Sequence, residues 1–123
     1  MGAIRKINTA EELFAFHCRA HRLPEVTPQY RIVSPHGRTP TGKPKTWVFD
    51  FAFRAQALLV ECQGGIFRKG GGAHSHPLDI LRNMKKQNDA QMLGWWLLQF
   101  TPDEVKSGHA IEYTERMLAR LAQ

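Results

Sequence analysis

Residues 46–63 read TWVFDFAF, RAQ, ALLVECQ: two β-prone runs joined by a short break, each with one carboxylate among apolar and aromatic neighbours. In the first run Trp47, Phe49, Phe51 and Phe53 alternate with Val48, Asp50 and Ala52, the period of a strand. An antiparallel hairpin turning between Ala55 and Gln56 opposes Phe49 to Cys62, Phe51 to Val60 and Phe53 to Leu58, which predicts one wholly apolar face. The same register opposes Asp50 to Glu61 on the other face. Directly opposed side chains have Cβ atoms about 4.5–5.5 Å apart, close enough for like charges to repel. Burying either carboxylate without a partner is costly, so the pattern calls for a cation.

Gln63 lies two residues beyond Glu61 and projects to the same face. Two carboxylates and an amide at one end of a sheet are hard oxygen ligands, suited to Mg²⁺ or Mn²⁺, which complete their shells with water and phosphate. RAQA carries no Asn-Gly signal, so the register is an expectation resting on the apolar pattern. A carboxylate at a strand end that is solvated or paired with arginine is the bland alternative.

The remaining elements assemble around this hairpin. Thr9 and Glu12 form a capping box ahead of AEELFAFHCRAHR, with Leu13, Phe16, His17 and Ala20 at helical spacing and Pro24 beyond the end. QYRIV (29–33) reads as a short strand, and residues 34–45, rich in proline, glycine and basic side chains, read as a basic loop. After a Gly-rich stretch (64–77), residues 78–93 carry a helical stripe through Leu81, Met84, Asn88 and Met92 that Gly94 stops. WWLLQF (95–100) is a continuous apolar run of the kind buried on both faces. Thr101, Pro102 and Glu104 open a helical turn, and residues 110–123 form a closing amphipathic helix with Ile111, Thr114, Leu118 and Leu121 on one side. The predicted order is αβββαβα, an α/β fold in one domain spanning residues 1–123.

No run approaches the roughly 18 apolar residues of a membrane span, and the start of the chain lacks the apolar middle of a signal peptide. A cytoplasmic setting is therefore expected. Cys18 and Cys62, with no CxxC spacing, are expected to be small buried hydrophobes. A formal charge of +6 favours a polyanionic partner such as nucleic acid. KGGGA is not a phosphate loop, since no GK[ST] follows, and the three tryptophans read as packing residues rather than base-stacking platforms.

Asp50, ten residues, then Glu61-Cys62-Gln63, on the second and third strands of an αβββαβ core, resembles the PD-(D/E)XK nuclease superfamily with its restriction-endonuclease-like fold. More closely, FDFAF, LLVECQGG, AHS and KKQNDAQMLGWWLLQFT look like the small phage and prophage endonucleases of that fold. The resemblance implies a mixed four-stranded sheet flanked by helices plus a C-terminal helix, and Mg²⁺- or Mn²⁺-dependent hydrolysis of DNA with the 3′ oxygen as leaving group. It implies metal ligation by Asp50 and Glu61, with the Cys62 main-chain carbonyl and a first-helix glutamate, Glu11, as further ligands; Glu12 is explained as a capping residue. Gln63 stands where the superfamily has lysine. Its amide can orient water but carries no charge, so Lys86, Lys85 or His74 is left to supply it. Lys86 and Asn88 match the family's K-x-N positions, and Gln87 replaces an aromatic. Phosphate contacts are expected from Arg38, Lys43, Lys45, Arg68 and Lys69, with Asn88 beside them. Resolvases and many restriction enzymes of the fold cut as dimers, so a homodimer is one implied assembly. The missing lysine keeps a second reading open, a catalytically silent nucleic-acid-binding module on the same fold.

Overall fold

The computed structural model describes residues 9–62 and 77–123. Helix α1 (Ala10–Ala20) begins where the Thr9 hydroxyl accepts the Glu12 amide at 3.1 Å. Strands β1 (Thr27–Arg38), β2 (Pro44–Phe53) and β3 (Leu58–Cys62) follow, then α2 (Pro77–Met92), β4 (Trp96–Phe100), the short α3 (Pro102–Lys106) and α4 (His109–Leu121). The sheet is mixed, in the order β1-β2-β3-β4, with β1, β2 and β3 antiparallel and β4 parallel to β3. The expected α/β order is thus present, and the helical turn expected after Thr101 is α3, capped by Thr101 and Glu104. Among the described residues no helix is long and apolar enough to cross a membrane.

The hairpin register agrees with the expected one: Phe51 pairs with Val60, Ala52 with Leu59 and Phe53 with Leu58. Its turn is a single 3₁₀ turn (Arg54–Gln56) closed by Ala57 in the left-handed region at φ 54. The Ala57 carbonyl accepts the Trp96 amide at 2.8 Å, which fastens the turn to the start of β4.

The expected single apolar face is not what forms. Phe51, Phe53, Leu58, Val60 and Cys62 pack with Phe14, Phe100 and Ile111 under α1, α3 and α4, whereas Trp47, Phe49, Ala52 and Leu59 pack with Ile32 and Ala90 toward α2. Phe49 and Cys62 therefore lie on opposite sides of the sheet. Alternation changes phase at Asp50, beside Gln29 of β1, whose backbone takes the left-handed φ of 50. A residue there cannot continue a regular pleat, so both strands turn over at the point where the aspartate sits.

Other expectations shift for identifiable reasons. Most of the expected loop at 34–45 is strand: β1 runs to Arg38, with a register irregularity between Val33 and Arg38. Ser34 Oγ accepts the amides of His36 and Gly37 at 3.3 and 2.7 Å, so the irregular backbone satisfies itself locally. A Cβ at Gly37 would meet Ser34 Oγ at 2.9 Å, so a side chain there would push that hydroxyl off the two amides. Pro35 is tolerated because β1 is an edge strand.

On α1 the inward residues are Phe14 and Cys18, while Phe16 is exposed. β4 is the other edge strand, not a strand buried on both faces, and Trp96 is 56% exposed. On α2 the stripe of Leu81, Met84, Asn88 and Met92 faces outward, and Ala90 is the buried residue. α4 follows expectation, burying Ile111, Thr114 and Leu118. Both cysteines are buried and free, and burial pushes the Cys18 thiol up to about 12.

Candidate active site

The backbone pairing of β2 with β3 gives way to side chains at Asp50 and Glu61. The Asp50 amide donates to Glu61 Oε1 at 3.2 Å, and the Cys62 amide donates to Asp50 Oδ2 at 2.7 Å. Each carboxylate takes an amide of the opposite strand, in place of a carbonyl, so the two acids are held across the strand boundary by charge-assisted hydrogen bonds.

Lys86 of α2 reaches this pair. Its ammonium is 3.1 Å from Glu61 Oε1, and it lies 4.4 Å from the centre of the Phe49 ring. The inward side of α2 can be polar because its side chains find partners, Lys86 on Glu61, Gln87 on Gln99 and Asp89 on the Trp47 indole, while the apolar stripe points away. From the other side of the sheet α1 brings Glu11, which feels the charge of Asp50 and accepts the Gln29 side-chain amide at 3.3 Å. Glu12 remains with Thr9, as its capping role requires.

Three carboxyl groups in a partly dry site resist ionisation. Burial pushes Asp50 above the usual carboxylate range, with the Cys62 amide, the Lys86 charge and the Glu11 side chain pulling the other way. Burial and then the Asp50 charge raise Glu61, against Lys86 and the Asp50 amide. Glu11 is raised by burial and then by Asp50. One lysine does not balance three acids, so the cluster keeps uncompensated acidic character. Among the described residues no group of three or more histidine, cysteine, aspartate or glutamate side chains is arranged to hold a metal ion. A Mg²⁺ or Mn²⁺ ion needs only one or two carboxylates beside water and phosphate, and the chemistry of Asp50 and Glu61 fits that requirement.

Of the residues named from sequence, Asp50, Glu61, Lys86 and Glu11 come together. Cys62 brings its amide to the site and turns its thiol into the core under α1. Gln63, Arg68, Lys69 and His74 lie outside the described residues. Arg38, Lys45 and Asn88 do not join them but line a neighbouring cleft between the β1–β2 ribbon and α2. Lys43 is exposed at the tip of the ribbon and is not among the residues lining that cleft. Asn88 is exposed, not a buried amide in need of a partner.

Sequence reasoning missed Gln29, whose left-handed backbone lies beside Asp50, and its only advance signal was proximity to Pro28 in a β-prone run. It also missed His36 and Ser34, which looked like loop residues. Comparison of the chain with protein-family models, with curated proteins and with solved structures returned no match.

Proposed function

We propose that the chain is a metal-dependent DNA endonuclease whose reacting centre is the Asp50–Glu61 pair. The observation that carries this reading is the crossed pairing of the two carboxylates, each bound to the opposite strand's amide, with Lys86 docked on Glu61. A basic chain of formal charge +6 suits a phosphodiester substrate. The reaction is hydrolysis: one water attacks phosphorus, the bond to the 3′ oxygen breaks, and the products are a 5′-phosphate and a 3′-hydroxyl.

Asp50 and Glu61 would hold the ion, with Glu11 beside Asp50 as a further acidic donor. When bound, Mg²⁺ or Mn²⁺ supplies Lewis-acid polarisation of the phosphoryl oxygen and a lowered pKa for water. Lys86 supplies a positive charge beside Glu61, and this supports its taking the role that Gln63, in place of the superfamily's usual lysine, leaves open. Its ammonium favours the negative charge that builds on the phosphoryl oxygens. The crossed amides hold Asp50 and Glu61 in position before substrate arrives, which limits reorganisation during the reaction.

A second reading has its own observation: Lys86 already neutralises one oxygen of Glu61, as in a silent nucleic-acid-binding module on the same fold. Incubation of supercoiled plasmid and of branched DNA with Mg²⁺ or Mn²⁺ separates the two. The nuclease converts plasmid to nicked or linear forms, and Asp50→Ala does not. Salt-sensitive binding with no cutting of any DNA form identifies the silent module.

A further inference from the structure

Beside the carboxylate site lies a cleft of about 450 Å³ between the β1–β2 ribbon and α2. Its rim carries His36 and Arg38 from β1, Lys45 from β2, and Lys85 and Asn88 from α2, with Ser34 below them. Three fixed cations thus come from three separate elements onto one concavity. None of Arg38, Lys45 and Lys85 is ion-paired to another described residue. The one acid in the lining, Asp89, is engaged by the Trp47 indole, whose N–H donates to Asp89 Oδ2 at 2.8 Å. Lys45 in turn lies 4.5 Å from the centre of the Trp47 ring, which holds its ammonium over the cleft floor. The lining therefore offers net positive charge and neutral hydrogen-bonding side chains.

The cleft shares β2 and α2 with the carboxylate site. Trp47 of its floor is three residues from Asp50 along β2, about 10 Å at a strand's rise. On α2 the adjacent residues Lys85 and Lys86 divide between the two places, Lys85 to the cleft and Lys86 to Glu61. That separation puts the cleft within reach of phosphates flanking the one held at the carboxylates.

We infer that this cleft is the strand-binding track of the protein: it takes the phosphodiester backbone of the DNA strand next to the bond that Asp50 and Glu61 act on. The inference rests on the nuclease reading and adds to it a location and a set of residues, including His36 and Lys85. Arg38 can engage a phosphate with two donors, and Lys45 and Lys85 act as point charges. Trp47 is nearly fully buried and covered by Lys45, so the track binds backbone charge without stacking on a base.

The test is binding of fluorescein-labelled 24-mer DNA, duplex and single-stranded, measured by anisotropy in EDTA across a salt series. The variant Arg38→Ala/Lys45→Ala/Lys85→Ala is compared with Lys106→Ala/Arg116→Ala/Arg120→Ala, which removes the same charge from α3 and α4. A single exposed charge reversal, Lys85→Glu, serves if the triple cleft variant does not fold. The cleft triple is expected to weaken binding at least tenfold and to flatten the slope of log K against log salt by about 2–3, at roughly 0.7–0.9 for each phosphate that is no longer neutralised. Lys85→Glu is expected to weaken it several-fold, and the α3–α4 triple to change affinity less than threefold. Equal losses in both triples, or no loss from Lys85→Glu, overturn the cleft and leave the nuclease reading standing. Wild-type protein with no salt-sensitive DNA binding overturns both.

Discussion

The ammonium of Lys86 sits 3.1 Å from Oε1 of Glu61, although the two residues belong to different elements and are separated by the whole connection from β3 to α2. Phe49 lies under that ammonium and restricts its hydration, so the charge is presented in a partly dry site where it acts more strongly than in water. Removal of a charge placed in this way is expected to slow single-turnover cleavage of supercoiled plasmid by about 10²–10³-fold in Lys86→Met. Lys86→Arg, which keeps the charge, is expected to lose less. Unchanged cleavage by the Met variant would remove Lys86 from the reacting centre.

The carboxyls of Glu11, Asp50 and Glu61 are all raised, chiefly by burial. A carboxyl whose folded pKa exceeds its unfolded value, about 3.9–4.3, binds its proton more tightly in the folded state. Its stabilising contribution is full below the unfolded pKa and is lost as pH rises through the folded one. In EDTA the melting temperature is therefore expected to fall from about pH 4 toward neutrality more steeply in wild type than in Glu11→Gln or Asp50→Asn. At pH 7 those variants are expected to melt a few degrees higher than wild type. Added Mn²⁺ should raise the wild-type melting temperature at pH 7 and leave Asp50→Asn nearly unmoved. Scanning calorimetry over a pH series reads each of these, and parallel wild-type and variant curves would contradict the raised carboxyls.

Phe14 and Phe16 look alike in the sequence and differ wholly in place. Phe14 is fully buried, its ring 5.1 Å from Phe51 and 6.3 Å from Phe100, whereas Phe16 is 45% exposed. Phe14→Ala is expected to cost about 3–5 kcal/mol in urea unfolding. Phe16→Ala is expected to cost under about 1 kcal/mol. Comparable losses would mean that α1 is turned the other way.

These particular residues also show what a sequence of this kind makes legible. The hairpin register was readable because strand alternation and two opposed charges constrain it together, and Phe51–Val60, Ala52–Leu59 and Phe53–Leu58 follow. The turn-over at Asp50 was not readable, because it depends on the backbone of Gln29 in a neighbouring strand. α2 misled for a different reason. Apolar periodicity marks the core face only when the helix covers apolar neighbours, and here its inward face covers Glu61 and the Trp47–Asp89 hydrogen bond. Local rules are most often broken beside functional groups, and α2 breaks them over the carboxylate pair. Edge position misled at β4, where WWLLQF has the composition of a central strand but only Phe100 is buried.

The orientation of α2 can be tested on two nearby residues of its last turns, Ala90 and Met92. Ala90 is fully buried against Phe49, Trp47 and Leu59, while Met92 is 67% exposed. Ala90→Leu adds volume where none is free, and overpacking of this kind costs about 1–3 kcal/mol. Met92→Gln changes an exposed side chain and is expected to shift stability by no more than about 0.5 kcal/mol. If the apolar stripe through Leu81, Met84 and Met92 were the packed face, the ranking would invert: Met92→Gln would then place an amide in the core and be the more damaging change. Urea unfolding of both variants decides between the two orientations. Because Lys86 shares the inward side with Ala90, the same result decides whether its ammonium can reach Glu61.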